Sequence, residues 1–378
     1  MNIAFIAKRY DIVGGTERDL YHLTDLLTKF GHNVTVYCQE VRTAPAEGVS
    51  IRKVPSLPGR TAKLWSLAWF GPKMAYQGGH DIVIGFTRVL KQDIVRCGGG
   101  THRVFLDRIK ETEGPLKKAA RTLSLYHNSL LAIEKRQLQE GNLRILAISN
   151  VVKKEIMDVY GVPEGSIEVI YDGIDINTFS PDKKVLHRAT TREEFGIPQD
   201  APLVLFLGNG FKRKGLETLL NGIALIEDKN VYCLAVGGDS SLQSYKELAD
   251  KLGIGGQVIF AGTKKEPERF YAAADVFVLP SLQEAFGNAV LEAMSCGLPV
   301  ITTSVAGASE LMTDGLERFI LRDPTDAVSL VNMINELLDP ALRNKLAAQV
   351  RKIAEGYTLE KNARAIEDLC KRVLKEKN

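Results

Sequence analysis

Two carboxylates, Glu284 and Glu292, stand eight residues apart in the segment PSLQEAFGNAVLEAMSCGLPVI. Between them, a small turn of Phe286, Gly287 and Asn288 opens an apolar stretch with the pattern of a helix. Carboxylates accept hydrogen bonds from sugar hydroxyls, and the backbone N–H groups at a helix N-terminus bind phosphate oxygens. The spacing therefore predicts a site for a sugar nucleotide, with one carboxylate at the sugar hydroxyls, the turn at the diphosphate and the other carboxylate at the ribose.

A basic loop in the second half of the chain is a further candidate for phosphate binding. It starts at Gly208, ends at Gly215 and contains three consecutive cations, among them Arg213 and Lys214. A guanidinium offers a planar fork and an ammonium offers a point charge, and both suit diphosphate oxygens. Because the loop lies between a predicted strand and a predicted helix, we favour an anion site over a solvated loop. A later strand-ending loop contains Thr263, a candidate for contact with the edge of a nucleobase.

The first predicted strand is followed by the glycine pair Gly14-Gly15 at the start of a helix. Glycines let the backbone come close to an anion, and the dipole of the helix favours an anion at this end. The loop lacks the G-x-G-x-x-G pattern of dinucleotide-binding folds, and the chain contains no G-x-x-x-x-G-K-[ST] phosphate loop. A plain structural turn is the alternative interpretation of this glycine pair.

A second glycine cluster, Gly98–Gly100, stands two residues before His102. Three glycines in a row indicate a backbone that lies against a substrate, with the imidazole of His102 close by. A structural histidine is the alternative, because a single histidine is more often part of the packing than of a reaction.

The segment 103–138 alternates basic residues with apolar and aromatic ones. It belongs to a basic first half: residues 1–170 contain 24 Lys and Arg against 17 Asp and Glu, and the remainder contains 25 against 29. Such a segment suits an anionic membrane surface or an anionic acceptor. The alternative is an amphipathic helix that packs on its own sheet.

Length and cysteine usage restrict the class of protein. The chain has 378 residues, which is too long for one compact core and sufficient for two domains. Its five cysteines are scattered without a C-x-x-C pair, which favours a reducing compartment and argues against a disulfide or zinc framework. No signal peptide and no transmembrane helix are expected, since no apolar stretch approaches 18 residues.

Short β-branched stretches alternate with helical patterns along the chain, which is typical of parallel sheets covered by helices. Strands are predicted at residues 2–7, 34–38, 49–54, 81–86 and 143–148, and again at 202–207, 231–236, 258–261, 276–280 and 299–303. The predicted fold class is α/β, with two doubly wound, Rossmann-like parallel-sheet domains that face each other across a cleft.

The predicted domain boundaries follow from the turn-rich segment between the two series of strands. Residues 1–168 form the first domain and 169–358 the second, and the last helix, 359–378, packs back on the first domain. Ligands of such folds bind at the carboxyl ends of the strands, where the loops described above lie.

Taken together, these motifs resemble the retaining glycosyltransferases of family 4, which have the GT-B fold, and most of all the lipopolysaccharide core glucosyltransferase I group. The resemblance rests on the GG-x-x-RD pattern of Gly14, Gly15, Arg18 and Asp19, the FKRKG loop of residues 211–215, the Glu284 and Glu292 pair, and the strand start at 297–300.

The resemblance implies roles for the donor-site residues. Glu292 would hold the ribose, and Glu284 would hold the transferred sugar together with the backbone of the turn at 286–288. Arg213 and Lys214 would neutralise the leaving diphosphate. Many members carry an arginine five positions before this lysine, where the present chain has Asn209, so Arg213 must supply that charge.

On the first domain, the resemblance implies that Gly14 and Gly15 approach the phosphate and that Asp19 lines the acceptor side. Asp19 and His102 are candidates for orienting the acceptor. The resemblance also favours retention of anomeric configuration, with the leaving phosphate as base. The chain contains no D-x-D triplet, so we expect no metal and no other cofactor.

The expected reaction is transfer of a hexose from a nucleoside diphosphate sugar, with UDP-glucose or a similar UDP-hexose favoured by the resemblance. The expected acceptor is a lipid-linked or lipopolysaccharide core saccharide at the cytoplasmic face of the plasma membrane, and no nucleic acid is expected as a partner. A sugar-nucleotide 2-epimerase, a glucan-type transferase and a non-catalytic protein that binds sugar nucleotides or membranes remain open. A dinucleotide oxidoreductase fits poorly because the glycine pattern differs.

Overall fold

The structure is a computed structural model that describes residues 1–111, 114–139 and 143–377, without the side chains of residues 110, 111 and 115–118. The chain divides into two compact units. Unit 1 comprises Met1–Gly173 and Leu359–Asn378, and unit 2 comprises Ile174–Thr358.

The first part of unit 1 alternates strands and helices. Its elements are β1 (Asn2–Tyr10), α1 (Gly15–Lys29), β2 (Asn33–Val41), β3 (Val49–Lys53), α2 (Arg60–Gln77), β4 (Ile82–Gly85), β5 (Ile94–Cys97), α3 (His102–Glu111), α4 (Pro115–Thr122), α5 (Leu125–Leu138), β6 (Arg144–Ala147), α6 (Asn150–Tyr160) and β7 (Ile167–Val169). The strands form one sheet in the order β3-β2-β1-β4-β5-β6-β7, with parallel pairing.

Strand β1 continues past the predicted end at Ala7 and includes Lys8 and Arg9, which the sequence placed in a loop. Arg9 pairs in register with Glu40 on the neighbouring strand, and its Nε donates to Glu40 Oε2 at 2.9 Å. A cross-strand ion pair of this kind lets charged residues extend a strand beyond its apolar part.

In its described residues, the basic segment 103–138 contains three helices, α3, α4 and α5. Gly114 caps the start of α4 and Pro115 is its first residue, because a proline suits the first turn of a helix and cannot continue one. Ser124 starts the third helix, where its side chain accepts a hydrogen bond from the backbone of His127. None of the helices in the described ranges combines the length and the apolarity that crossing a bilayer requires.

Unit 2 repeats the alternation of helices and strands. Its elements are α7 (Lys183–Glu194), β8 (Leu203–Leu207), α8 (Leu216–Ala224), β9 (Tyr232–Val236), α9 (Leu242–Lys251), β10 (Val258–Gly262), α10 (Glu268–Ala273), β11 (Val276–Leu279), α11 (Asn288–Ser295), β12 (Val300–Thr303), β13 (Ile320–Leu321), α12 (Ala327–Leu337) and α13 (Pro340–Ala354). The parallel sheet has the order β10-β9-β8-β11-β12-β13. Strands β8 and β11 are therefore neighbours, and the loops that follow them emerge at the same edge.

The last helix, α14 (Leu359–Lys377), belongs to unit 1 and packs against α1. Glu367 on this helix pairs with His32, which follows α1, at 3.0 Å. Near its end, Glu376 pairs with Arg144 of β6, and Arg372 pairs with Glu168 of β7. Contacts with both an early helix and two late strands hold the C-terminal segment on the first unit.

Candidate active site

Lys214 and Arg213 share one carboxylate in unit 2. Lys214 Nζ donates to Glu284 Oε2 at 2.8 Å, and Arg213 Nη1 donates to the same oxygen at 3.1 Å. Arg213 Nη1 also donates to the backbone carbonyl of Gln283 at 2.9 Å. Neighbouring strands β8 and β11 place the two loops side by side, so residues from distant parts of the chain form one charged cluster.

The electrostatics of the cluster favour an ionised Glu284. Burial would raise the pKa of its carboxyl, but the charges and hydrogen bonds of Lys214 and Arg213 outweigh the burial and lower the pKa. The three side chains then carry two positive charges against one negative charge. The surplus positive charge suits an anionic ligand, and Glu284 keeps acceptor oxygens available for hydroxyl groups.

Two glycines give the basic loop the space that it needs. Gly215 has φ +75, and a Cβ on it would lie 1.9 Å from the carbonyl oxygen of Pro280 at the end of β11. A Cβ on Gly208 would lie 2.4 Å from Cδ of Lys214. Glycine is therefore required at position 215 for the loop to pack against the β11 segment, whereas a side chain at position 208 would displace Lys214 from its present position.

The predicted turn of residues 286–288 marks the N-terminus of α11. Gly287 has φ +102, a left-handed conformation that favours glycine, and Asn288 is the first residue of the helix. The carbonyls of Glu284 and Phe286 accept hydrogen bonds from the backbone N–H groups of Gly307 and Ala308. The turn is thus fixed beside the charged cluster, and the positive end of the α11 dipole adds to its attraction for an anion.

Glu292 lies in the middle of α11 and is buried. Its Oε2 accepts a hydrogen bond from the hydroxyl of Tyr271 on α10 at 2.7 Å. The tyrosine hydroxyl helps to fix the direction of the Glu292 carboxylate. The role of Tyr271 could not be predicted from the sequence, because an aromatic residue in an apolar helix indicates only core packing.

The ends of strands β8, β9 and β10 bring three further loop residues together. Asn209 Oδ1 accepts a hydrogen bond from the backbone N–H of Gly238 at 2.8 Å. A Cβ on Gly238 would lie 2.5 Å from Oγ1 of Thr263. Asn209, which stands where many family members have arginine, therefore joins the β8 loop to the β9 loop.

Unit 1 contains a cavity of ≈ 260 Å³ at the carboxyl ends of β1, β4 and β5. Its lining includes Thr16 and Glu17 of α1, Arg88, Arg96 and the glycine-rich loop Gly98–Thr101. Close by, Gly14 precedes α1 with φ +111, and a Cβ on it would lie 2.8 Å from the Glu17 carboxylate. Apart from the chain neighbours of Gly15 and the backbone of α1, no atom of the described residues lies within 4 Å of a Cβ on Gly15, so the space there is open.

The two acceptor-side candidates have different surroundings. Arg96 Nη2 donates to Asp19 Oδ2 at 2.9 Å. His102 is buried, its ring stacks on those of Phe105 and His127, and its Nε2 lies 3.0 Å from His127 Nδ1. Burial and the positive charge of Arg88 lower the pKa of His102 to about 4, so this imidazole is neutral at pH 7.

Two family models match the two parts of the chain. "Glycosyltransferase Family 4" matches residues 13–178, and "Glycosyl transferases group 1" matches residues 187–355. The chain belongs to the family 4, group 1 glycosyltransferases. The predicted family and the predicted α/β class with two parallel sheets are therefore confirmed.

Sequence relatives of this glycosyltransferase match most of its length. The lipopolysaccharide glucosyltransferase WaaG of Escherichia coli is 24% identical, with 95% of this chain and 96% of WaaG covered. The uncharacterized glycosyltransferase MJ1607 of Methanocaldococcus jannaschii is 27% identical, with 82% of this chain and 83% of the relative covered.

Solved structures share the fold. The crystal structure of WaaG has a TM-score of 0.79 at 23% identity and covers 97% of this chain and 99% of that one. The Anabaena protein Alr3699/HepE, solved in complex with UDP-glucose, has a TM-score of 0.75 at 18% identity, with 98% of this chain and 100% of that one covered.

In this glycosyltransferase, the predicted site residues are divided between the two units. Arg213, Lys214 and Glu284 are in direct contact, and the turn at 286–288 begins the helix that carries Glu292. Asp19 belongs to unit 1, and its partner Arg96 lines the cavity there. Within the described ranges, no group of three or more His, Cys, Asp or Glu side chains is arranged to hold a metal ion.

Proposed function

We propose that this glycosyltransferase transfers a hexose from a UDP-sugar, with UDP-glucose favoured, to a saccharide of a lipid-linked or lipopolysaccharide core acceptor. The observation that carries the proposal is the cluster of Arg213, Lys214 and Glu284 at the N-terminus of α11, inside the region that the group 1 model matches. The similarity to WaaG supports the acceptor class, and the similarity to a protein solved with UDP-glucose supports the donor.

In the proposed reaction, the positive surplus of the cluster neutralises the charge that develops on the departing diphosphate. Preorganised cations and helix N-terminal amides need no rearrangement at the moment of bond cleavage, which makes their stabilisation effective. We propose that these groups act without a resident metal ion. Glu284 then holds hydroxyls of the transferred hexose, and Glu292, directed by Tyr271, holds the ribose.

The proposed stereochemical outcome is retention. No carboxylate is assigned as a nucleophile; the acceptor hydroxyl attacks from the side on which the diphosphate leaves, and the leaving phosphate accepts its proton. Direct analysis of the anomeric configuration of the product tests this assignment, and an inverted product contradicts it.

The cavity of unit 1 is proposed as the acceptor site. Three of its four cations are paired: Arg9 contacts Glu40, Arg88 contacts Glu134, and Arg96 contacts two aspartates. The fourth cation is Lys8. A lining of paired charges, hydroxyls and glycine backbone offers many hydrogen bonds with little net charge. Such a cavity suits the hydroxyl groups of a neutral sugar ring more than a free phosphate.

We propose a peripheral membrane contact through the helices of residues 103–138, at the cytoplasmic face where a lipid-linked acceptor is available. Leu123 and Leu125, at the junction of α4 and α5, have 82% and 71% of their surface exposed. Arg60 of α2 lies 4.0 Å from the centre of the Tyr126 ring, and the exposed Trp69 lies on the same α2 helix. Exposed apolar and aromatic side chains with nearby cations match the requirements of an anionic bilayer surface.

A ligand panel followed by a transfer assay tests the proposed function. Thermal unfolding is measured with UDP, GDP, ADP and their glucose conjugates, since a ligand at 100 times its Kd adds about 2.7 kcal/mol of stability. We expect stabilisation by UDP and UDP-glucose, and release of UDP only when a saccharide acceptor is added. If no nucleotide stabilises the protein, the proposal is wrong. If UDP-sugar is converted to an epimer without an acceptor, the epimerase alternative is correct.

A further inference from the structure

A single guanidinium nitrogen in unit 1 joins two carboxylates from distant parts of the chain. Arg96 Nη2 donates to Asp19 Oδ2 at 2.9 Å and to Asp172 Oδ1 at 2.5 Å. Asp19 lies on α1, Arg96 lies on β5, and Asp172 follows β7. The sequence motifs singled out Asp19 alone, so Arg96 and Asp172 are additions that only the fold reveals.

Packing fixes the position of this guanidinium. It lies over the ring of Phe86, 4.8 Å from the ring centre. A Cβ on Gly98 would lie 2.2 Å from Arg96 Nη1, so the first glycine of the glycine cluster provides the space for the side chain. Nη1 is buried without a hydrogen-bond partner among the described residues. An arginine enclosed in this way holds its two aspartates in one geometry.

Solvent reaches the group through Asp19. The side chain of Asp19 is 17% exposed, whereas those of Asp172 and Arg96 are 6% and 3% exposed. Asp19 is therefore the member of the group that is most open to solvent, whereas Arg96 is the member that lines the cavity. Arg96 lines the cavity of unit 1 together with Thr16 and Glu17, which lie on the same helix as Asp19.

Asp19, Arg96 and Asp172 have more potential negative than positive charge, because two carboxyl groups face one guanidinium. Burial and the neighbouring Asp172 carboxylate raise the pKa of Asp19 to about 7, and the cations Arg96 and Arg18 oppose this rise. The Asp19 carboxyl therefore gains and loses its proton near neutral pH. Loss of this proton creates a carboxylate that can accept a hydrogen bond.

We propose that Arg96 and Asp172 are positioning residues that hold the Asp19 carboxylate where it accepts a hydrogen bond from the acceptor hydroxyl. The inference rests on the proposed function and deepens it, because it assigns the group that orients the acceptor. Asp19 contacts the acceptor, and the other two residues act through it. The acceptor is bound productively when Asp19 is ionised, so its affinity falls as the pH drops below neutrality.

The first test measures the ionisation of Asp19 directly in the full-length protein. Aspartate labelled with ¹³C at the carboxyl carbon is titrated by NMR, and Asp19→Asn identifies the resonance. Asp172→Asn removes a negative neighbour and should lower the midpoint by about 1 pH unit, whereas Arg96→Gln removes a positive neighbour and should raise it. Midpoints that move together, or that do not move, overturn the inference.

Two neighbouring glycines provide a matched pair for the same titration. Gly98→Ala places a Cβ against Arg96 Nη1 and should shift the Asp19 midpoint. Gly99→Ala meets no atom within 4 Å and should leave the midpoint unchanged. Equal effects of the two substitutions contradict the proposed dependence of Asp19 on the position of Arg96.

The second test follows the pH dependence of transfer. Asp19→Asn should raise the KM for the acceptor at least about tenfold with little change in the KM for the donor, since one hydrogen bond to a charged group contributes roughly 1.5–3 kcal/mol. The acidic limb of kcat/KM for the acceptor should move to lower pH in Asp172→Asn and to higher pH in Arg96→Gln. A purely structural role would reduce activity in both variants without opposite shifts.

A conservative variant separates charge from geometry. Arg96→Lys keeps the positive charge but loses the guanidinium geometry, so the acceptor KM should rise while the acidic limb stays in place. If Arg96→Gln does not fold, Arg96→Lys and Asp172→Asn still decide the inference through these two readouts. If no sugar nucleotide stabilises the protein, the proposed function is wrong. This outcome differs from unshifted Asp19 midpoints, which contradict only the inference about Arg96 and Asp172.

Discussion

Lys214 donates a hydrogen bond to Glu284 at 2.8 Å although the two residues are 70 positions apart in the chain. The contact exists because β8 and β11 are adjacent parallel strands whose following loops emerge side by side. Without a donor, the carboxylate partly neutralises the lysine and the neighbouring Arg213. We infer that donor binding exchanges part of this internal pairing for contacts with diphosphate and hexose, and that the diphosphate neutralises the positive charge that Glu284 leaves unpaired.

Replacement of Lys214 by alanine should lower kcat by ~10²–10³ at saturating donor, because one preorganised group that stabilises developing charge is removed. Steady-state kinetics with a saccharide acceptor measure the effect. Lys246→Ala, which removes an exposed cation of α9 in the same unit, serves as the control and should leave kcat unchanged. A Lys214→Ala variant with the kcat of the wild type contradicts the proposed role.

Alanine at Gly215 should destabilise unit 2 more than alanine at Gly210. Both glycines have a left-handed backbone, with φ +75 and φ +76, which costs roughly 1–2 kcal/mol for any other residue. Only at Gly215 does the added Cβ also meet the carbonyl oxygen of Pro280, at 1.9 Å. Urea unfolding measures both variants, and equal losses of stability would show that the loop is not packed as described.

Removal of the Tyr271 hydroxyl should weaken donor binding through Glu292. The hydroxyl donates to Glu292 at 2.7 Å, so Tyr271→Phe leaves a buried carboxylate with one hydrogen bond fewer and a less defined direction. We expect a several-fold higher KM for the donor, corresponding to roughly 1 kcal/mol, with a smaller change in kcat. Tyr245→Phe, which removes the hydroxyl of another buried tyrosine in unit 2, is the comparison, and a donor KM that rises equally in both variants would contradict a specific role for Tyr271.

The ion pairs of Glu367 should stabilise unit 1 in a pH-dependent way. The hydrogen bond from Lys371 is the main cause that lowers the pKa of Glu367 from 4.5 to about 2, and His32 and Arg364 contribute against the effect of burial. A carboxyl with a lowered pKa contributes stability above the pKa of the unfolded chain and loses it as the pH falls toward the folded value. Glu367→Gln should therefore cost about 1–2 kcal/mol at pH 7 and much less at pH 3.

Urea unfolding at several pH values provides the measurement for Glu367. Asp368→Asn is the control, since this neighbouring carboxylate is exposed and its contact with Lys371 is longer, at 3.6 Å. A difference between wild type and Glu367→Gln that stays constant from pH 7 to pH 3 would show that the charge of Glu367 does not stabilise the fold.

The membrane contact predicts a loss of vesicle binding when the junction of α4 and α5 is made acidic. The double substitution Leu123→Asp and Leu125→Asp removes two exposed apolar side chains. It also adds two negative charges, which an anionic membrane surface repels. Flotation with vesicles that contain phosphatidylserine should show binding of the wild type and not of the variant. Val328→Asp changes an exposed apolar residue of unit 2 and should still bind. Retention of binding by the double variant contradicts the proposed surface.

The loops that form the charged cluster of unit 2 can be recognised from patterns in the sequence. Strand-end loops rich in glycine and charge can be located from hydrophobic patterns, and parallel topology then places such loops at one edge. Both loops were located in this way, and the resemblance to the family then assigned Lys214 and Glu284 to one donor site. The start of α11 at Asn288 was also visible, because Gly287 supplies a left-handed residue before an apolar helix.

Other features depend on long-range packing that no local pattern carries. Arg96 interrupts an apolar strand, but its two partners lie 77 and 76 positions away in the chain. The strands Ile167–Val169 and Ile320–Leu321 are too short to stand out from loops. Likewise, Arg9 sits in a strand only because Glu40 lies beside it, and that pairing is a property of the assembled sheet.

The return of α14 to unit 1 has a consequence for the order in which the molecule is completed during synthesis. His32, Arg144 and Glu168 leave the ribosome long before Glu367, Glu376 and Arg372, their partners on the last helix. The second unit is contiguous and can close as soon as it emerges. Unit 1 is complete only after α14 has been synthesised. It therefore acquires its last stabilising contacts after unit 2, although most of unit 1 is synthesised first.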